Sequence, residues 1–277
     1  MADTDHIAIV ELGPDDARAG LELSAEAHWN QNEADWRFFL SQGTVFGVRD
    51  GGAHLIATAA LLPYTSGNAW ISMVLVTANW RRRGLATRLM DACLDAAAAQ
   101  GLTTWLDATP AGATVYGPLG FAPTLQLRRL RLENSTAPKS TAPQPLSTCA
   151  LDEFVARDRG TMGFERGALL DELGRRSGSR LLSSGDAAAL VRDGRKARHI
   201  GPLFADGPDR ALALVHQITG SETGPLLIDA VSTQQEFLTG LISAGWTIER
   251  PFQRMRFGRA TALPADLPFA VAGPEYG

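Results

Sequence analysis

The amino-acid sequence predicts a mixed α/β (α+β) protein built twice over, and three observations carry that expectation. Short apolar or alternating runs of strand length interleave with longer segments of helical period. A Pro-, Ser- and Thr-rich stretch, ENSTAPKSTAPQPLST (133–148), repeats STAP twice and splits the 277 residues into halves of near-equal size. Four features of the first half then return in the same order in the second. The expected organisation is a first domain over 1–133, a linker over 134–148 and a second domain over 149–277.

In the first half, IAIVEL (7–12) reads as a strand and 15–27 as a helix begun at Pro14-Asp15-Asp16. EADWRFFL (33–40) is a second helix, closed near Gly43. Segments 44–49 and 54–62 flank Asp50-Gly51-Gly52, a hairpin signal. AWISMVLV (69–76) is apolar enough to be a central strand. A helix over 84–100 places Leu85, Leu89, Cys93 and Ala97 on one face and stops at Gly101. WLDA (105–108) is a buried strand, and Thr109-Pro110 supplies an N-cap and first residue for a short helix. Pro118 is expected to shorten that helix to about one turn, because proline cannot donate to residue 114. LQLRRLRL (125–132) alternates and reads as an edge strand.

The echoes in the second half are VRDG at 48–51 and 191–194, LDAT (106–109) against IDAV (228–231), and Gly120-Phe121 against Gly245-Trp246. The fourth is LQLRRLRL against FQRMRF (252–257). From Asp50 to Asp107 is 57 positions, whereas from Asp193 to Asp229 is 36. The second copy is therefore short in the interval that holds NWRRRGLATRL (79–89) in the first, and carries GPLFADGPDRA (201–211) instead.

Composition excludes several classes. The chain is 45% hydrophobic and 20% charged, an ordinary globular balance, and its net charge of −4 argues against a general nucleic-acid binder. Cys93 and Cys149 make neither a disulfide framework nor a metal cluster, and five scattered histidines lack zinc-ligand spacing. MADTDHIAIV lacks the pattern of a signal peptide, and no stretch approaches the ~18 apolar residues of a membrane span. A cytoplasmic protein with no metal and no membrane or nucleic-acid partner is the expectation.

Arg81, Arg82 and Arg83 precede Gly84 at the start of a helix, where the backbone dipole disfavours cations by about 0.3–1 kcal/mol each. Such an arrangement makes sense if an anion arrives: N–H groups at a glycine-bearing turn into a helix form a phosphate cradle. It is neither a Walker A loop nor a G-x-G-x-x-G fingerprint. On the turn alone, a solvated basic loop is the competing reading.

With its strand, VLVTANWRRRGLATRLM (74–90) resembles the core motif of the GNAT superfamily of acyl-CoA-dependent N-acetyltransferases, [QR]-x-x-G-x-[GA]. LDATPAGATVYGPLGF (106–121) resembles the family's later strand and helix, with a tyrosine four residues before Gly-Phe. The whole chain looks like the two-domain subgroup, in which tandem GNAT domains, each a twisted, mostly antiparallel sheet flanked by helices, include a degenerate second copy. The resemblance implies acetyl-CoA as co-substrate. Its pyrophosphate would sit on the loop of Arg81, Arg82, Arg83, Gly84, Leu85, Ala86 and Thr87. Its pantetheine arm would pair with Met73, Val74, Leu75 and Val76, whose N–H groups can stabilise the thioester oxyanion.

Tyr116 would be the general acid, because a phenol with a reference pKa of about 10 is protonated at neutral pH. The residue four before Gly245 is Leu241, so the second copy lacks that acid. Asp107, Glu33, Asp35 and His28 are candidates for the base, with caps or surface groups as the alternative. Trp29 and Asn30, in HWNQNEADW (28–36), are candidates for the acceptor pocket. His54, His199 and His216 read as structural, and the arginines between 157 and 198 as a solvated face, with a lid or wall for an anionic acceptor as the alternative.

The function implied is acetyl transfer from acetyl-CoA to a primary amine, on a small molecule or a peptide, by direct attack in a ternary complex. The alternative is an acyl-CoA-binding regulator or pseudoenzyme on the same fold. A monomer acting as an internal pseudo-dimer and a homodimer are both compatible with the duplication.

Overall fold

The computed structural model describes residues 7–133, 146–259, 264 and 266–277, so most of the predicted linker lies outside it. Packing divides the chain into two units: one runs to Leu106 and includes Arg256–Arg259, the other runs from Asp107 to Met255 and includes the C-terminal tail. The boundary falls inside a strand of the first sequence half, well before the linker.

The first unit begins with β1 (Ile9–Glu11), a 3-10 turn at Pro14–Asp16, α1 (Ala17–Glu26) and α2 (Glu33–Gln42). It continues through β2 (Thr44–Arg49), β3 (Leu55–Tyr64), β4 (Asn68–Val76), α3 (Leu85–Ala99) and the first part of β5 (Thr103–Ala108). Its strands lie in the order β1-β2-β3-β4-β5, antiparallel except for the parallel β4–β5 pair that α3 connects. Leu85, Leu89, Cys93 and Ala97 form the buried face of α3, and Gly101, at φ +66°, ends it. Burial pushes the Cys93 thiol up to about 12, which leaves it inert as a nucleophile.

Helices α1 and α2 meet where Gly20 touches Trp36. The indole is fully buried and donates from Nε1 to Ser24 Oγ at 3.0 Å. A Cβ on Gly20 would lie 2.4 Å from ring atoms that cannot withdraw. Gly20→Ala gains about 1 kcal/mol of helix propensity and loses more to overpacking, typically ~1–3 kcal/mol. Urea denaturation is expected to show a net loss of about 1 kcal/mol or more; equal or greater stability would contradict this contact.

The second unit holds the end of β5, α4 (Pro110–Tyr116), β6 (Ala122–Leu132), β7 (Ser147–Thr148), α5 (Leu151–Met162) and α6 (Gly167–Arg175). It continues through β8 (Arg180–Ser184), β9 (Ala187–Arg192), β10 (Arg198–Phe204), α7 (Pro208–Ser221), β11 (Leu226–Val231), α8 (Gln235–Ser243) and all but the last two residues of β12 (Thr247–Phe257). Its strand order is β12-β6-β11-β10-β9-β8-β7. Leu130 on β6, Ile200 on β10, Ile228 on β11 and Leu214, Phe237 and Leu241 on α7 and α8 form one core.

Three expectations are corrected here. The strand read as an edge, β6, is interior: it pairs antiparallel with β11 from Leu127↔Val231 to Leu132↔Leu226 and has β12 on its other side. Its Arg129 is buried because an acid from β11 compensates it, and of the arginines between 157 and 198 read as a solvated face, Arg166 and Arg192 are likewise buried, against Asp158 and Glu275. The last two residues of the predicted linker, Ser147 and Thr148, form β7 against β8. Among the described residues no helix is long and apolar enough to cross a membrane.

Candidate active site

In the first unit, β4 is built irregularly. Thr58↔Leu75 is followed by Ala60↔Ser72, so Met73 and Val74 share one position opposite β3, a β-bulge with Met73 at φ +53°. A methionine in the left-handed region inside a strand is an outlier. Thr58 Oγ1 holds it by donating to Met73 O at 2.8 Å. On its other side β4 pairs with β5 only over Asn68↔Thr103, Ala69↔Thr104 and Trp70↔Trp105 among the described pairings. Trp105 Nε1 donates to Asn68 Oδ1 at 2.9 Å and clamps that end. Beyond it, residues 71–76 keep their pairing with β3, and no pairing with β5 is described for them.

The arginine loop follows directly. Arg82 and Gly84 both take positive φ, +60° and +76°, and Gly84 caps α3. The first bond of the helix is Arg88 N to Gly84 O at 3.0 Å, so the N–H groups of Leu85, Ala86 and Thr87 have no acceptor within the helix. A Cβ added at Gly84 would meet nothing within 4 Å, so the approach to these donors is open. Arg81 Nε donates to Val76 O at 3.0 Å, and Arg83 Nη2 to Asn79 O at 2.9 Å, with its guanidinium 4.7 Å from the Trp80 ring centre. These two arginines therefore brace the loop. The backbone turn and the open approach fit a diphosphate, the group an acyl-CoA would bring.

Trp29 and Asn30 lie on the α1–α2 connection, with Asn30 buried. Glu26 ties this region to the loop after β4 by accepting from Ala78 N at 2.7 Å, a contact that the sequence reading missed. Asp35 is a cap: Asn32 N donates to its Oδ2 at 2.8 Å, and Asp35 N donates to Asn32 Oδ1 at 3.1 Å. Glu33 pairs with Arg37 on the surface, and His28 is exposed.

In the second unit, Thr109 Oγ1 accepts from Gly112 N at 3.1 Å and Pro110 opens α4, as predicted. The helix is longer than expected: it ends at Tyr116, ahead of Pro118, so the proline costs it no bond. Tyr116 is 9% exposed, its ring folded over Gly112 and 6.1 Å from that of Phe121. Asp107, near the end of β5, accepts from Arg254 Nε and Nη2, both at 2.9 Å. Burial pushes its carboxyl above the usual range, against the pull of that guanidinium.

The same unit carries the second copy of the motif, changed at each chemical position. Phe121 N bonds Tyr116 O at 3.2 Å, and Trp246 N bonds Leu241 O at 3.1 Å, with Gly120 and Gly245 at φ +97° and +92°. The turns match, but core Leu241 stands where Tyr116 does. Acidic Asp206 and Asp209 flank the start of α7, where an anion would be repelled. β10 and β11 pair in parallel over Arg198↔Leu226, His199↔Leu227 and Ile200↔Ile228, as β4 and β5 do at their start. Past that point the chain's own tail enters: Leu203 N bonds Ala270 O and Phe269 N bonds Leu203 O, both at 2.9 Å. On the other side Val231 N bonds Phe269 O at 3.1 Å and Val271 N bonds Asp229 O at 3.0 Å. A strand-like peptide thus fills the slot between β10 and β11.

Two family models match the chain: "Acetyltransferase (GNAT) family" over residues 13–121 and "Acetyltransferase (GNAT) domain" over 155–267, most of the sequence between them. The chain belongs to the GNAT acetyltransferase family. This GNAT protein is an acyltransferase with two tandem domains. It is 22% identical over 247 residues to the uncharacterized N-acetyltransferase YitH of Bacillus subtilis, covering 86% of this chain and 87% of that one. Its fold is similar to that of a Pyrococcus horikoshii protein assigned to the acetyltransferases (TM-score 0.82, 18% identity, 97% of this chain and 95% of the other). It is also similar to a tandem GNAT protein from the clavulanic acid biosynthesis pathway (TM-score 0.67, 16% identity, 92% and 100%).

Proposed function

We propose that the protein transfers an acetyl group from acetyl-CoA to a primary amine by direct attack within a ternary complex, using its first copy alone. The observation that carries this reading is the pairing, in one unit, of the Arg82–Gly84 turn with the bulged half of β4 that extends past its described ladder with β5. When bound, acetyl-CoA supplies a thioester whose acyl carbon accepts the amine and whose sulfur leaves as a thiol. The N–H groups of Leu85, Ala86 and Thr87, with the Arg82 side chain, hold the diphosphate. Met73, Val74, Leu75 and Val76 align the arm as an added strand, and their N–H groups face the developing negative charge on oxygen.

Tyr116 holds at Oη the proton that the departing sulfur takes, its ring kept in one orientation by Gly112 and Phe121. Trp29 and Asn30 border the acceptor, close to the loop that Glu26 anchors. Asp107, with both oxygens on Arg254, serves to position rather than to carry a proton. The test is CoA-thiol release from acetyl-CoA across small amines, amino-sugar amines and peptide N-termini. Amine-dependent release is expected for at least one class. Binding of acetyl-CoA with no release from any of them would favour a regulatory protein instead.

A further inference from the structure

Asp107 and Asp229 hold the same place in the two copies, in LDAT and IDAV. Each is gripped by an arginine from the other copy, and Asp229 also meets His199 Nε2 of its own copy at 2.9 Å. Arg254, on the last strand of the second copy, grips Asp107 with two bonds of 2.9 Å, and Arg129, on the last strand of the first, grips Asp229 with two bonds of 2.8 Å. The two arginines are themselves equivalent, in Arg129-Leu130-Arg131 and Arg254-Met255-Arg256. Side-chain exposures are 6% and 0% in both pairs. The chain therefore contains the same buried arginine–aspartate pair twice, with His199 added at Asp229, once beside an intact motif and once beside a decayed one.

Only one of the two pairs has a chemical group downstream. Asp107 stands three residues before Pro110, the first residue of α4, and Tyr116 is the last. A helix of seven residues has little stability of its own, so its placement depends on the strand end that leads into it. A bidentate guanidinium fixes both the position and the tilt of a carboxylate, which a point charge does not. Around Asp229 the corresponding helix, α8, carries the core residue Leu241 at Tyr116's place.

We propose that Arg254 is a positioning residue for transfer by the first copy: through Asp107 it sets the end of β5 and α4, and with them the Tyr116 phenol. The proposal rests on Tyr116 being the general acid. It assigns the second copy a task beyond packing, since that copy supplies the strand on which Arg254 sits.

The test compares Arg254→Lys with Arg129→Lys, which make the same change in the two equivalent pairs. Melting temperature, acetyl-CoA affinity by calorimetry, and kcat and amine KM by thiol release are read for each. Both variants should lose similar thermal stability. Only Arg254→Lys should lower kcat, by about tenfold or more, with acetyl-CoA affinity within about twofold of the parent. Because Arg254 acts through the acid, Tyr116→Phe with Arg254→Lys should be no slower than Tyr116→Phe alone. Equal kcat losses in the two lysine variants, an unchanged kcat in Arg254→Lys, or additive losses in the double variant would each overturn the proposal. Should Arg254→Lys not fold, Arg254→Gln is read by the same criteria. Tyr116→Phe alone, at parental turnover, would instead remove the acid role on which the proposal depends.

Discussion

Arg82→Glu combined with Gly84→Glu is expected to weaken acetyl-CoA binding by about a hundredfold or more. Hydrogen bonds to a charged partner are each worth about 1.5–3 kcal/mol, and every 1.4 kcal/mol is about tenfold in affinity. The double variant removes one cation, adds two anions where a diphosphate must approach, and puts a side chain on a residue at φ +76°. The backbone cost of that conformation is about 1–2 kcal/mol, so the turn itself is expected to relax and its N–H groups to lose their common direction. Both positions are exposed, so the fold should survive, and a melting temperature near the parent's would establish that. Unchanged affinity in a folded variant would show that the loop is a solvated basic turn.

Tyr116→Phe is expected to lower kcat by about a hundredfold, within the range typical of a lost general acid. Acetyl-CoA affinity should be nearly unaffected. Phenylalanine keeps the ring against Phe121 and over Gly112, so the change removes only the hydroxyl. Turnover at the parental rate would make Tyr116 a packing residue.

Local chemistry was legible in the sequence, whereas long-range pairing was not. The apolar face of α3, the Thr109-Pro110 start of α4, the hairpin around Gly51 and the matched glycine turns at Gly120 and Gly245 all depend on neighbours within a few residues, and each appears as read. The arginines of β6 and β12 were misleading because their partners are remote: Arg129 and Asp229 are 100 positions apart, and Arg254 and Asp107 are 147. An alternating strand with arginines reads as a solvent-facing edge unless the compensating acids are visible. The matched positions of Arg129 and Arg254 in the two repeats were the signal that could have revealed them.

At the candidate site, the glycine turn into α3 and the short helix that carries Tyr116 could be read from motifs, but the bulge at Met73 could not, since nothing in AWISMVLV marks a positive φ. Nor could the tail: residues 269–271 carry no motif, and their place between β10 and β11 follows only from the spread of two strands that a duplicated fold provides. The same spread lies beside β4 in the first copy, where residues 71–76 extend past the ladder with β5. One copy therefore keeps the Arg82–Gly84 turn and a strand half beyond its described pairing with β5. The other has acids at the helix start and its own peptide along the edge.

Calorimetric titration of acetyl-CoA into the intact protein reads that contrast between the two copies directly. Saturation is expected at one molecule per chain; two molecules per chain, or no binding at all, would overturn the assignment of acetyl-CoA to the first copy alone.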